Sequence, residues 1–211
     1  MIFRLTEAVL SFPDPALAEE DGLLAIGGDL SEARLRLAYS MGIFPWFSDN
    51  EPILWYAPHD RCVIFPEKIK VSKSMHQVLK QGSFRVTLDH AFENVIAHCA
   101  AIPREGQDGT WITPAMQEAY TNLHRKGIAH SVEIWAGDTL AGGLYGLGLN
   151  RVFCGESMFS RLPNASKTAL IWLCRQGNYT LIDCQMPNKH LMSLGAELIP
   201  REKYLQILQQ S

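Results

Sequence analysis

The 211-residue chain has no C-x-x-C pair, and its five cysteines, at 62, 99, 154, 174 and 184, are an odd number. That argues against a disulfide framework and reads as reduced thiols in a cytoplasmic protein, each behaving as a small buried hydrophobe. Histidines four residues apart and Cys-His clusters are missing as well, so no metal is expected. There is no run of about 18 apolar residues, and the opening "MIFRLTEAVLSFPDP" lacks a basic region ahead of an apolar one, which excludes a membrane span and a secretory leader. Asn164-Ala165-Ser166 is therefore ordinary chain rather than a glycosylation site. Charge is scarce: 19% of residues are charged against 47% apolar, the balance of a folding chain rather than a disordered one. Internal repeats and low-complexity segments are also absent.

The net charge of −3 speaks against a nucleic-acid partner, but it is an average over unlike segments. Residues 1–60 hold ten acidic side chains against Arg4, Arg34 and Arg36. From 61 to 85 the balance reverses: Arg61, Lys68, Lys70, Lys73, Lys80 and Arg85 face Glu67 alone. Lys73, His76 and Lys80 recur at helical spacing and share one face, which suits a phosphate backbone. A solvated helix face is the other reading of the same charges.

The first sixty residues are rich in turn signals, with one helix between Asp29 or Ser31 and Gly42. They predict a small N-terminal α/β domain of residues 1–62. From 63 to 211 the elements lengthen. Ser72 or Ser74 opens a helix that Gly82 closes, "FRVTL" is a strand, Asp89 caps "AFENVIAHCAA", and Thr113-Pro114 starts a helix ending at Gly127. "SVEIWAGDTLAGGLYGLGLNRVFCGES" reads as three strands, Asn164 or Ser166 caps "KTALIWLCRQ", and "YTLIDCQ" is a further strand before a short helix and an amphipathic tail. Helices alternating with an antiparallel meander predict an α+β fold with a larger C-terminal mixed-sheet domain, an order compatible with an N-acetyltransferase-like fold among others.

Four glycines, at 142, 143, 146 and 148, interrupt a strand and make room for a ligand or another backbone. Beside them Leu144, Phe153, Met158, Leu170, Leu173 and Ile182, with the polar Glu156, Ser157, Ser160 and Arg161, compose either an apolar pocket with convergent polar groups or a plain core. Asp183 and Gln185, two apart in a strand, share a face and either position an amine or cap the turn before Pro187. Trp46 and Trp111, the latter after "REGQDGT", are the aromatics placed to stack on a base.

In this order, "GGDLSEARLRLAYSMGIFPWF", "GTWIT", "HSVEIW", "GGLYGLGLNRVFCGESMFS", "NASKTAL" and "LIDCQ" resemble the bacterial leucyl/phenylalanyl-tRNA protein transferases, over residues 11 to 200. The resemblance implies an N-acetyltransferase-like catalytic domain and transfer of Leu or Phe, and Met less well, from aminoacyl-tRNA to proteins beginning with Arg or Lys, marking them for N-degron degradation. The chemistry it implies needs no cofactor; no membrane partner is expected from the lack of a long apolar run, and the chain is expected to be a monomer. It assigns Asp183, Gln185 and Glu156 to catalysis. Trp46 and Trp111 fall to the terminal adenosine, and Lys73, His76 and Lys80 to the tRNA acceptor stem. Leu144, Phe153, Thr168, Leu170, Leu173 and Ile182 fall to the acyl pocket, beside Met158 of the pattern-based pocket. Leu144 and Leu173 stand where the family pattern has methionine and phenylalanine. An acetyl-CoA acetyltransferase would want a run of backbone donors where Arg161-Leu162-Pro163-Asn164 stands, and Pro163 supplies none. A noncatalytic tRNA-binding module would leave Glu156, Asp183 and Gln185 without a task.

Overall fold

The computed structural model describes residues 2–102 and 110–210, so "REGQDGT" lies almost wholly outside the described residues. The chain begins with β1 (Phe3–Leu5), β2 (Leu23–Gly27), α1 (Glu32–Ser40), β3 (Phe44–Pro45) and β4 (Leu54–Tyr56). These strands form a small mixed sheet in the order β1-β2-β4-β3. Then come β5 (Asp60–Ile64), α2 (Lys73–Gln81), β6 (Arg85–Leu88), α3 (Phe92–Ala101), α4 (Pro114–Arg125), β7 (Ala129–Ala136), β8 (Thr139–Leu149) and β9 (Val152–Ser160). The chain closes with α5 (Ala165–Arg175), β10 (Leu181–Asp183), α6 (Lys189–Ser193), β11 (Glu197–Pro200) and α7 (Arg201–Gln210).

The seven-stranded main sheet runs β11-β5-β10-β9-β8-β7-β6. Its one parallel pair is β9 with β10. The expected α+β class is what this topology shows. One apolar cluster joins α1, the small sheet, α3 and α4 to one face through Tyr145, Leu147 and Phe159. A second, on the other face, gathers Leu144, Phe153 and Ile182 around Leu170 and Leu173 of α5. The first strand of the main sheet straddles residue 62, and the first apolar cluster runs through both sheets without a break.

Local chemistry explains most helix ends. Ser31, Ser72 and Thr113 accept hydrogen bonds from the backbone N–H groups of Arg34, Met75 and Met116, as N-cap side chains do. Two expected caps are corrected. Asp89 does not cap α3; with φ at +58° it turns to His130 and the Ser131 N–H. The carboxylate at the start of α3 belongs instead to Glu133 of β7, which accepts from the His90 and Ala91 N–H groups at 3.3 Å each. At α5 neither Asn164 nor Ser166 caps with its side chain; Ser160 Oγ, across the turn, accepts from the Ser166 N–H. Both substitutes are distant in sequence or sit on a strand, where cap rules do not look.

The glycines of β8 make room for protein. A Cβ on Gly142 would stand 2.6 Å from the Ala165 Cβ, and one on Gly146 would stand 2.2 Å from the Cys154 carbonyl oxygen. Helix α5 and strand β9 therefore approach as closely as the absence of side chains permits.

Candidate active site

Strand β10 stops pairing with β9 at Asp183, opposite Cys154, while β9 continues to Ser160. Where the two part company, a cavity of about 280 Å³ opens. One wall is Gly155, Glu156 and Ser157 of β9, and the other is Cys184, Gln185 and Met186 after β10. Its floor is apolar: Leu144, Phe153, Met158, Leu170 and Ile182 line it together. Trp46 and Trp111, both half-buried, also line it, with Trp46 5.8 Å from the Tyr56 ring. Thr168 and Leu173 do not reach the cavity. Thr168 Oγ1 donates to the Asn164 carbonyl one turn back, and Leu173 lies buried in the core between α5 and the sheet.

The polar centre is Glu156. Its Oε1 accepts from the Tyr39 hydroxyl at 2.7 Å and from Gln185 Nε2 at 3.0 Å, and its Oε2 accepts from the Tyr120 hydroxyl at 3.2 Å. Tyr39 and Tyr120 also share a short hydroxyl contact. Burial pushes the Glu156 carboxyl up to about 7 from an ordinary value of 4.5; the Tyr39 hydrogen bond pulls against this and the nearby Asp183 charge adds to it. Both tyrosines are held well above the usual phenol range, by burial first and then by the Glu156 charge, so they remain donors at neutral pH.

Asp183 stands apart from the cavity. It is fully buried, and its carboxylate is gripped bidentately by Arg61, Nε to Oδ1 at 2.8 Å and Nη2 to Oδ2 at 2.7 Å. Tyr204 donates to Oδ2 at 2.9 Å and the Gln185 backbone N–H to Oδ1 at 2.9 Å. Burial opposes the Arg61 charge, yet Asp183 and Tyr204 hold the guanidinium above its ordinary pKa, so Arg61 stays charged. The shared face expected for Asp183 and Gln185 from strand alternation does not occur: the strand ends at Asp183, and Gln185 has φ at +53°. Gln185 reaches Glu156 through that turn of the backbone.

The chain matches the family described as "Leucyl/phenylalanyl-tRNA protein transferase" over residues 63–209, and that family's N-terminal domain over residues 28–59. It belongs to this family. A leucyl/phenylalanyl-tRNA–protein transferase of Flavobacterium johnsoniae is 54% identical over 202 residues, covering 94% of this chain and 95% of that one. Proteins of the same name from Anaeromyxobacter sp. (strain Fw109-5) and Desulfatibacillum aliphaticivorans are 53% and 52% identical, covering 97% and 100% of this chain and 88% and 91% of theirs. Among solved structures, a GCN5-related N-acetyltransferase from Kribbella flavida is similar at a TM-score of 0.40 and 10% identity, covering 79% of this chain and 59% of that one. A conserved protein of unknown function from Bacteroides thetaiotaomicron is similar at a TM-score of 0.46 and 9% identity, covering 72% of this chain and 55% of that one. These two likenesses are loose.

The family-implied residues separate in space. Glu156, Gln185 and the two tryptophans meet at the cavity, whereas Lys73, His76 and Lys80 are exposed on α2. Tyr39, Tyr120, Arg61 and Tyr204 were not singled out from sequence for this site. Arg61 was read only as part of a basic run, yet it is 1% exposed. Among the described residues no helix is long and apolar enough to cross a membrane, and no three His, Cys, Asp or Glu side chains are grouped to hold a metal ion.

Proposed function

We propose that this protein transfers leucine or phenylalanine from aminoacyl-tRNA to the α-amino group of proteins that begin with Arg or Lys. The observation that carries this reading is the Gln185–Glu156 hydrogen bond at the wall of a cavity with an apolar floor. An aminoacyl ester is already activated, so the protein must seat the acyl group, present an uncharged amine and take its proton. Leu144, Phe153, Leu170 and Ile182 seat the leucine or phenylalanine side chain by size. Gln185 has given its N–H to Glu156, so its amide oxygen is the atom left to accept from the incoming amine.

An α-amino group titrates near 8, close enough to a carboxyl at about 7 for Glu156 to accept its proton. The amine nitrogen attacks the ester carbonyl carbon, a C–N bond forms, and the C–O bond to the tRNA ribose breaks. The proton passes from the amine through Glu156 to the departing ribose oxygen. Tyr39 and Tyr120 keep the carboxylate fixed throughout. Trp46 and Trp111 stack against the terminal adenosine, and the exposed face of α2 with Lys73, His76 and Lys80 meets acceptor-stem phosphates. The reaction takes place in the cytoplasm with a single copy of the chain.

The test supplies labelled leucyl-tRNA, labelled acetyl-CoA and an Arg-initiated peptide together. Leucine should appear on the peptide's amino terminus. Transfer of the acetyl label instead, or of neither label, overturns the proposal.

A further inference from the structure

Gln185 holds a left-handed backbone conformation, φ +53°, that residues other than Gly, Asn and Asp seldom adopt. Its surroundings impose it. The Cys184 N–H donates to the Cys62 carbonyl at 2.8 Å and the Cys62 N–H to the Gln185 carbonyl at 3.1 Å, so two residues after β10 face a single residue of β5. That arrangement is a β-bulge, a device that re-aims a side chain. The third tie is the Gln185 N–H to Asp183 Oδ1.

What fixes Asp183 is the residue before Cys62. Arg61 presents two parallel N–H groups to the carboxylate and sends its Nη1 to the Gly42 carbonyl at 3.0 Å, just past the helix that carries Tyr39. Its guanidinium lies between two rings, 4.7 Å from the centroid of Phe44 and 4.6 Å from that of Tyr204. Phe44 is itself a wall of the cavity. Arg61 and Tyr204 are each 1% exposed and do not line the cavity, so neither touches a substrate.

We propose that Arg61, seconded by Tyr204, is a positioning residue for transfer: its planar fork sets the Asp183 carboxylate, the carboxylate sets the Gln185 backbone, and the Gln185 amide is thereby aimed at the amine. The inference rests on the function read above. It assigns Asp183 a mechanical task, because every direction in which that carboxylate could reach an amine is taken by Arg61, Tyr204 or the Gln185 N–H. A lysine would keep the charge but lose the bidentate grip, the Gly42 bond and the ring stacking.

The experiment measures kcat and KM for leucyl transfer to an Arg-initiated peptide, together with Kd for leucyl-tRNA and the melting midpoint. It uses wild type, Arg61→Lys and Tyr204→Phe, each with Gln185 intact and with Gln185→Ala. With Gln185 intact, Arg61→Lys should lower kcat by roughly 10- to 100-fold, the cost of misplacing a reacting geometry by about 1 Å. Tyr204→Phe should act in the same direction less strongly, and Kd for leucyl-tRNA should hold within about twofold. In the Gln185→Ala background both changes should cost less than about twofold, since no amide remains to be aimed. A merely structural role would lower kcat by the same factor in both backgrounds, and that result overturns the proposal, as does full kcat in a folded Arg61→Lys protein. If Arg61→Lys does not fold, the Tyr204→Phe pair decides on the same criterion. A wild-type protein that moves no leucine overturns the functional reading itself; an active wild type with equal losses in the two backgrounds overturns only the role of Arg61.

Discussion

Glu156 binds more protons in the folded protein than in the unfolded chain between its ordinary 4.5 and its folded value of about 7, because burial disfavours the carboxylate. This group therefore favours the fold most below 4.5 and loses that contribution as the pH rises through 7. The groups that face it are the Tyr39 and Tyr120 hydroxyls and the Gln185 amide, with the Asp183–Arg61 pair beyond. Glu156→Gln should be more stable than wild type at pH 8, by on the order of 2–3 kcal/mol, and equal to it near pH 4.5, which thermal melts across that range will show. The kcat of wild type should rise through pH 7, and the same variant should lose that rise, because its amide accepts no proton. A wild-type rate flat from pH 6 to 8 would remove Glu156 as the acceptor. Arg61 and Asp183 obey the opposite logic: each is tolerable inside the protein only because the other is there, and truncating one would cost about 3–5 kcal/mol.

At the scale of elements, the start of α3 is held by the Glu133 side chain of strand β7. Glu133 is fully buried and accepts from Thr87 and Ser131 hydroxyls at 2.5 Å each as well as from the two N–H groups at the helix entrance. Glu133→Ala strands those donors and should destabilise the protein by about 2–4 kcal/mol, read as a lower urea midpoint. Glu133 lies outside the cavity, so kcat of the folded fraction should not change. Most element types could be read from the chain, because caps such as Ser31, Ser72 and Thr113 act within three residues and periodicity is local. The exceptions share a cause. Asp89 found a better partner in His130 of the neighbouring strand at 2.7 Å, and β10 ended early because Gln185 was pulled into the left-handed region by contacts with β5.

Over the whole molecule, charge is sorted by position. An average of −3 conceals the acidic first sixty residues and the basic stretch after them. On the proposed function a tRNA approaches the basic side, where Lys73 and Lys80 are exposed on α2. Replacing both with Glu should weaken leucyl-tRNA binding by at least about 10-fold and flatten the slope of log K against log salt by roughly 1.5, to be measured by filter binding at several salt concentrations. Unchanged affinity and slope would make α2 a solvated surface and nothing more. The sequence by itself determined the α+β class, most elements between residues 72 and 183 and the apolar residues Leu144, Phe153, Leu170 and Ile182, since periodicity and burial preference are carried by each segment alone, whereas the short strands β1–β4 and β11 carry too little pattern to be read. Family blocks such as "LIDCQ" also marked Glu156 and Gln185 as members of one site. Only the tertiary structure decided that Asp183 is gripped by Arg61 and Tyr204 and that Tyr39 and Tyr120 converge on Glu156 from separate helices. Hydrogen bonds between residues 36 to 122 positions apart depend on how α1, α4, β5, β9 and β10 pack, and no local pattern encodes that.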